Sequence, residues 1–61
     1  MGYNAIKIFS ATKQAEREGL GDRTTKWLRE SEIVPLDIRV FQSSDAAYHC
    51  LTVVVFYKDP R

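Results

Sequence analysis

The stretch Tyr48-His49-Cys50-Leu51-Thr52-Val53-Val54-Val55-Phe56-Tyr57 decides the fold. It is β-branched and aromatic, almost free of polar alternation, and it stops at Lys58-Asp59-Pro60-Arg61. Such a run is the pattern of a strand covered on both faces. Only one helix is readable elsewhere in the chain, and one helix covers one face of a sheet. The other face needs a second cover, and another copy of the same chain is the simplest candidate.

Just before this run, residues 33–42 alternate. Val34, Leu36, Ile38 and Val40 share one face, with Pro35, Asp37, Arg39 and Phe41 on the other. That is the pattern of a half-buried strand. Pro35 has no N–H to donate, so this strand belongs at a sheet edge or begins at the proline. Gln42-Ser43-Ser44-Asp45-Ala46-Ala47 is small and polar, and reads as a hairpin loop leading to a third strand over residues 48–58.

Toward the N-terminus, residues 3–10 form a first strand, with Ile6 and Ile8 on one face and Ala5, Lys7 and Phe9 on the other. Ser10 and Thr12 offer helix N-caps. Residues 13–31 then carry Leu20, Thr24, Trp27, Leu28 and Ser31 at helical spacing. Gly19 and Gly21 interrupt that pattern, each costing about 1 kcal/mol relative to alanine in a helix. Either they let a continuous helix lie close to the sheet, or the helix starts near Asp22; the continuous helix is the reading adopted.

The fold class is therefore α+β. A single β-α-β-β domain is expected, with a three-stranded sheet in the order 1-3-2 and one helix on one face. A crossover from the first to the second strand suits this order. The apolar third strand becomes central, and Pro35, Lys7, Asp37 and Arg39 fall on edge strands. The helix is expected to pack Leu20, Trp27 and Leu28 onto Ile6, Ile8, Leu36, Ile38, Val40, Leu51, Val53 and Val55.

The face away from the helix then holds Ala5, Lys7, Phe9, Asp37, Arg39, Phe41, Cys50, Thr52, Val54 and Phe56. With either parity of the third strand, an apolar row points outward. Exposed together, such side chains make a patch that monomers rarely tolerate. Two such sheets stack about 10 Å apart. The expected interface comprises Lys7, Phe9, Asp37, Arg39, Phe41, Thr52, Val54 and Phe56, with the charged members near its rim. In a two-fold pair, Asp37 meets Lys7 or Arg39 of the other copy.

Size and composition point the same way. A 61-residue chain buries only about 60% of the surface that its unfolded form exposes. A disulfide, a metal or a partner usually supports so small a fold. One cysteine and one histidine exclude an internal disulfide and a tetrahedral Cys/His zinc site, which leaves oligomerisation. Nine basic residues against eight acidic ones give a formal charge of +1; a dedicated nucleic-acid binder normally shows a clear basic excess. No run reaches bilayer-spanning length, and neither a signal peptide nor a myristoylation pattern is readable. The expected setting is reducing and cytoplasmic.

The reactive-looking residues read as structural. His49 and Cys50 are neighbours in a strand and point to opposite faces, so they do not form a base–nucleophile pair. Gly19-Leu20-Gly21 lacks the third glycine, or the Lys-Ser/Thr, of a phosphate loop. Trp27 belongs to the helix stripe and reads as core rather than as a ligand-stacking ring. Ser43-Ser44-Asp45 reads as a solvated turn. The chain is not expected to be an enzyme, and no cofactor or metal is expected.

The order of elements resembles that of dodecins, β-α-β-β chains that assemble into hollow flavin-binding dodecamers. The dodecin flavin-stacking tryptophan lies on a strand, whereas Trp27 is expected on the helix, so the likeness is one of architecture and no flavin site is carried over. Ile6-Lys7-Ile8-Phe9, a helix ending near Trp27-Leu28, then Asp37-Ile38 and a final aliphatic strand closing in Phe56-Tyr57 are similar to the pattern of a family of small sporulation-associated bacterial proteins. That resemblance implies the fold without a biochemical activity. The expected role is self-association through the open sheet face. Another protein partner, a dodecin-like ligand-binding oligomer and a single-stranded nucleic-acid module are the alternatives. The last rests on Phe9, Phe41 and Phe56 beside Lys7 and Arg39.

Overall fold

A computed structural model of the chain describes residues 2–44 and 49–60. Strand β1 (Ala5–Ala11) is followed by helices α1 (Gln14–Glu18) and α2 (Leu20–Ser31), then strands β2 (Asp37–Ser44) and β3 (His49–Tyr57). The sheet order is β1-β3-β2, with β3 antiparallel to both neighbours. The β-branched run is central, as its composition requires. Pro35 lies just before β2, which is an edge strand. The expected loop at 45–47 and the expected strand start at Tyr48 lie outside the described residues.

The helical region is divided at Gly19 into two helices and is not one continuous helix. Gly19 has φ −90° and ψ 0°, yet hydrogen bonding runs through it: its N–H donates to the Ala15 carbonyl at 3.3 Å, and its carbonyl accepts from the Arg23 N–H at 3.0 Å. Neither Ser10 nor Thr12 caps a helix. Ser10 lies in β1, Lys13 is the N-cap residue of α1, and no side chain bonds the cap. Asp22 lies in the first turn of α2, where its charge complements the helix dipole. Gly21 does not serve a close approach to the sheet, because a Cβ built there meets nothing within 4 Å. Helix α2 ends with Glu32 in the left-handed region, φ 56°. There the Ile33 N–H bonds back to the Leu28 carbonyl at 3.3 Å, satisfying a carbonyl of the final turn.

The buried apolar core is small: Phe9, Ala11, Leu20, Val53 and Val55, with Trp27, Leu28, Leu51 and Tyr57 packed around it. It reverses the expected parity of β1. Phe9 and Ala11 face the helices, and Ile6 and Ile8 face outward at 50% and 53% exposure. Alternation in β1 offers both choices, and shifting by one residue exchanges the faces. Pairing decides between them: Phe9 lies opposite Val53 and Lys7 opposite Val55, so both share the face of the buried valines. Phe9 there meets Trp27 edge-to-face at 5.9 Å, and Trp27 meets Tyr57 at 5.5 Å. Ring packing of this kind adds to the gain from area burial.

The helices cover β1 and β3 but leave β2 bare; every residue of β2 is exposed. Ile38 and Val40 lie opposite the buried Val55 and Val53, yet they remain 43% and 61% exposed. Leu36 does not join them. It precedes β2 and lines a hollow with Tyr3 and Phe56. A helix is about 10–12 Å across and strands are about 4.8 Å apart, so one helical layer spans roughly two strands.

Leu20 is 1% exposed, so Leu20→Ala is expected to cost about 2–5 kcal/mol, read from the shift in a urea-unfolding midpoint. Gly21→Ala is expected to stabilise by about 1 kcal/mol in the same measurement, because the added methyl group has open space.

Candidate functional site

The candidate site is the sheet face turned away from the helices, built by register. Ile6, Phe56 and Asp37 form one cross-strand row, Ile8, Val54 and Arg39 the next, and Ser10, Thr52 and Phe41 the third. Tyr3 extends the first row and packs edge-to-face on Phe56 at 5.0 Å. Asp37, Arg39, Phe41, Thr52, Val54 and Phe56 therefore lie together, as the alternation in β2 and β3 implies.

Lys7 and Phe9 are corrected: both lie on the helix side. Phe9 is core at 8% exposure. The Lys7 ammonium sits 5.5 Å from the centroid of the Phe9 ring and 5.7 Å from that of Trp27, so its charge is accommodated by ring faces. In their place the outer face gains Ile6, Ile8 and Tyr3. The signal for this exchange was the triplet Phe9-Ser10-Ala11. A bulky ring followed two residues later by alanine, just before the chain turns into a helix, suits a strand passing close beneath that helix.

The face is graded in polarity. Tyr3, Ile6, Ile8, Val54 and Phe56 make its apolar part. At the other end, the Ser10 and Thr52 hydroxyls are 3.3 Å apart, and Cys50 Sγ is 3.9 Å from Thr52 Oγ1. On β2, Arg39 Nε donates to Asp37 Oδ2 at 3.1 Å, with both side chains more than half exposed. Asp37 thus pairs with Arg39 of its own chain, and Lys7 is on the opposite side of the sheet. An open hollow of about 600 Å³ lies between Gly2, Tyr3, Leu36, Asp37, Arg39 and Phe56.

Among the described residues, this face brings no catalytic pair together. His49 is exposed, Cys50 is half-buried, and alternation sends them to opposite faces. Among the described residues, no group of three His, Cys, Asp or Glu side chains is placed to hold a metal, and no helix is long and apolar enough to cross a membrane. Trp27 lies on α2 between Phe9 and Tyr57. It also borders a second hollow, of about 500 Å³, with Lys7, Ser31, Ile33, Tyr57, Asp59 and Pro60. Comparison with protein-family models, curated proteins and solved structures found no match.

Phe9 distinguishes core from surface. Phe9→Ala is expected to lower the unfolding free energy by about 3–5 kcal/mol, measured by chemical denaturation. An unchanged midpoint would return Phe9 to the surface.

Proposed function

We propose that this chain is a small, non-enzymatic assembly protein that associates with copies of itself through the outer sheet face. The observation that carries the reading is the size of the open apolar surface beside the size of the core. Ile6, Ile8 and Phe41 are all at least half exposed around Val54, Phe56 and Tyr3, while only five apolar residues among those described are buried. Stacking two such faces removes apolar surface at about 25 cal/mol per Å² and covers the second side of β3. Ser10, Thr52 and the Asp37–Arg39 pair form the less apolar margin, in keeping with the polar rim of a protein interface.

The charges favour a protein partner over nucleic acid. Arg39 is already paired with Asp37, and Lys7, needed to complete a basic, aromatic surface, is held over the rings on the helix side. Stacking platforms for single strands depend on cations beside the rings, and the described residues of the outer face have no surplus of them. A reducing, cytoplasmic setting goes with the single free cysteine, Cys50.

Sedimentation equilibrium across a wide concentration range tests the reading. The wild-type chain is expected to sediment above its monomer mass. Ile8→Asp, which places a charge in the middle of the face on an edge strand, is expected to lower that mass while the far-ultraviolet circular dichroism keeps its folded form. An equal mass for the two proteins would remove the outer face from the assembly.

A further inference from the structure

Strand β2 offers a second surface, its outer edge, which pairs with no strand among the described residues. The Asn4 N–H donates to the Tyr57 carbonyl at 3.1 Å, and the Leu36 N–H donates to the Phe56 carbonyl at 2.8 Å. Tyr57 therefore turns its carbonyl toward β1, and Phe56 turns its carbonyl toward β2. Backbone groups alternate along a strand. With Asp37 opposite Phe56 and Arg39 opposite Val54, Asp37, Arg39 and Phe41 spend their backbone groups on β3. The N–H and C=O groups of Ile38, Val40 and Gln42 point to the free edge. One of them is already occupied, since the Ile38 N–H donates to Asp37 Oδ1 at 2.9 Å.

We propose that this edge pairs antiparallel with β2 of a second copy, about a two-fold axis through Ile38, with Asp37 of each chain against Arg39 of the other. The charges select the register. Asp37 and Arg39 are opposite in sign and two residues apart on one face, so an axis through the residue between them exchanges the two. An axis through Arg39 would oppose two guanidinium groups, and one through Val40 would leave Asp37 opposite Ser43. In the Ile38 register, Asp37 and the partner's Arg39 form a non-hydrogen-bonded pair, the type whose side chains approach most closely. Ile38 and the partner's Ile38 exchange both backbone hydrogen bonds.

Asp37 holds the free edge closed in the single chain. When its carboxylate turns to the partner's Arg39, the Ile38 N–H is released to the partner's Ile38 carbonyl. Pairing also brings the two Ile38 side chains together on the helix side, where the helices leave them open. The product is a six-stranded sheet in the order 1-3-2-2-3-1, which presents the outer face twice. It does not depend on face-to-face stacking. The opposing view is that Asp37 and Arg39 only guard the edge against pairing, as edge charges commonly do.

The experiment is sedimentation equilibrium in the Ile8→Asp background, which removes stacking through the outer face. The expected result is a dimer. Adding Arg39→Asp sets like charges opposite each other and is expected to raise the dimer dissociation constant at least ~10-fold, and Asp37→Arg together with Arg39→Asp restores it. Val40→Pro leaves the bonds to β3 in place, because the Val40 N–H faces the free edge, and it is expected to fold and to weaken the dimer. A monomer in the Ile8→Asp background overturns the edge pairing and leaves the outer-face reading intact. Equal or tighter association of folded Arg39→Asp also overturns it and assigns the two charges to guarding the edge. A wild-type dimer that survives Ile8→Asp and falls apart on Arg39→Asp upholds the edge and removes the face.

Discussion

Everything in this fold depends on a mismatch of width. Three strands make a sheet wider than one helical layer, and that layer sits over β1 and β3. The consequence is a core of only five buried apolar residues among those described and a β2 strand with solvent on both sides. Burial and pairing therefore part company. Val53 and Val55 are buried, while Val40 and Ile38, directly opposite them, are not. The same arithmetic gives the molecule one bare face, and it leaves one of the two edge strands, β2, exposed on both sides.

The polar side chains follow from where coverage stops. Lys7 lies on the covered side, and it is tolerated there because its ammonium rests over the Phe9 and Trp27 rings. Asp37 and Arg39 lie where nothing covers them and pair with each other at 3.1 Å. Asn4 ties the ends of the sheet together. Its side chain accepts from the Asp59 N–H at 2.7 Å and donates to the Asp59 carbonyl at 3.2 Å, which holds the segment after β3 beside the start of β1.

Legibility varied with how one-sided each local signal was. The run from Leu51 to Tyr57 has one sensible home, the middle of the sheet, and Pro35 places the preceding strand at an edge. Asp37, Arg39 and Phe41 were legible as outer-face residues because the alternation over residues 33–42 sets the apolar Val34, Leu36, Ile38 and Val40 on the other side. Strand β1 carried no such asymmetry. Ile6 and Ile8 make as good an apolar face as Phe9 and Ala11, and the apparent penalty of placing Lys7 inside vanishes once aromatic rings receive its charge. Gly19 and Gly21 marked a weak point in the helical pattern, and the spacing alone did not say which of them divides it.

The sequence by itself determined the β-α-β-β order, the central place of the last strand and the outward set on β2, while the parity of β3 was settled by its pairing with Asp37, Arg39 and Phe41. The first three rest on local composition and on an alternation of two, which act within a few residues. Tertiary structure alone decided the parity of β1, the division of the helix at Gly19 and the bareness of β2. Each of these is a choice between locally equivalent states. It is settled by contacts between residues far apart in the chain: Phe9 with Trp27 and Val53, Leu20 with the sheet, and a helical layer too narrow for the third strand.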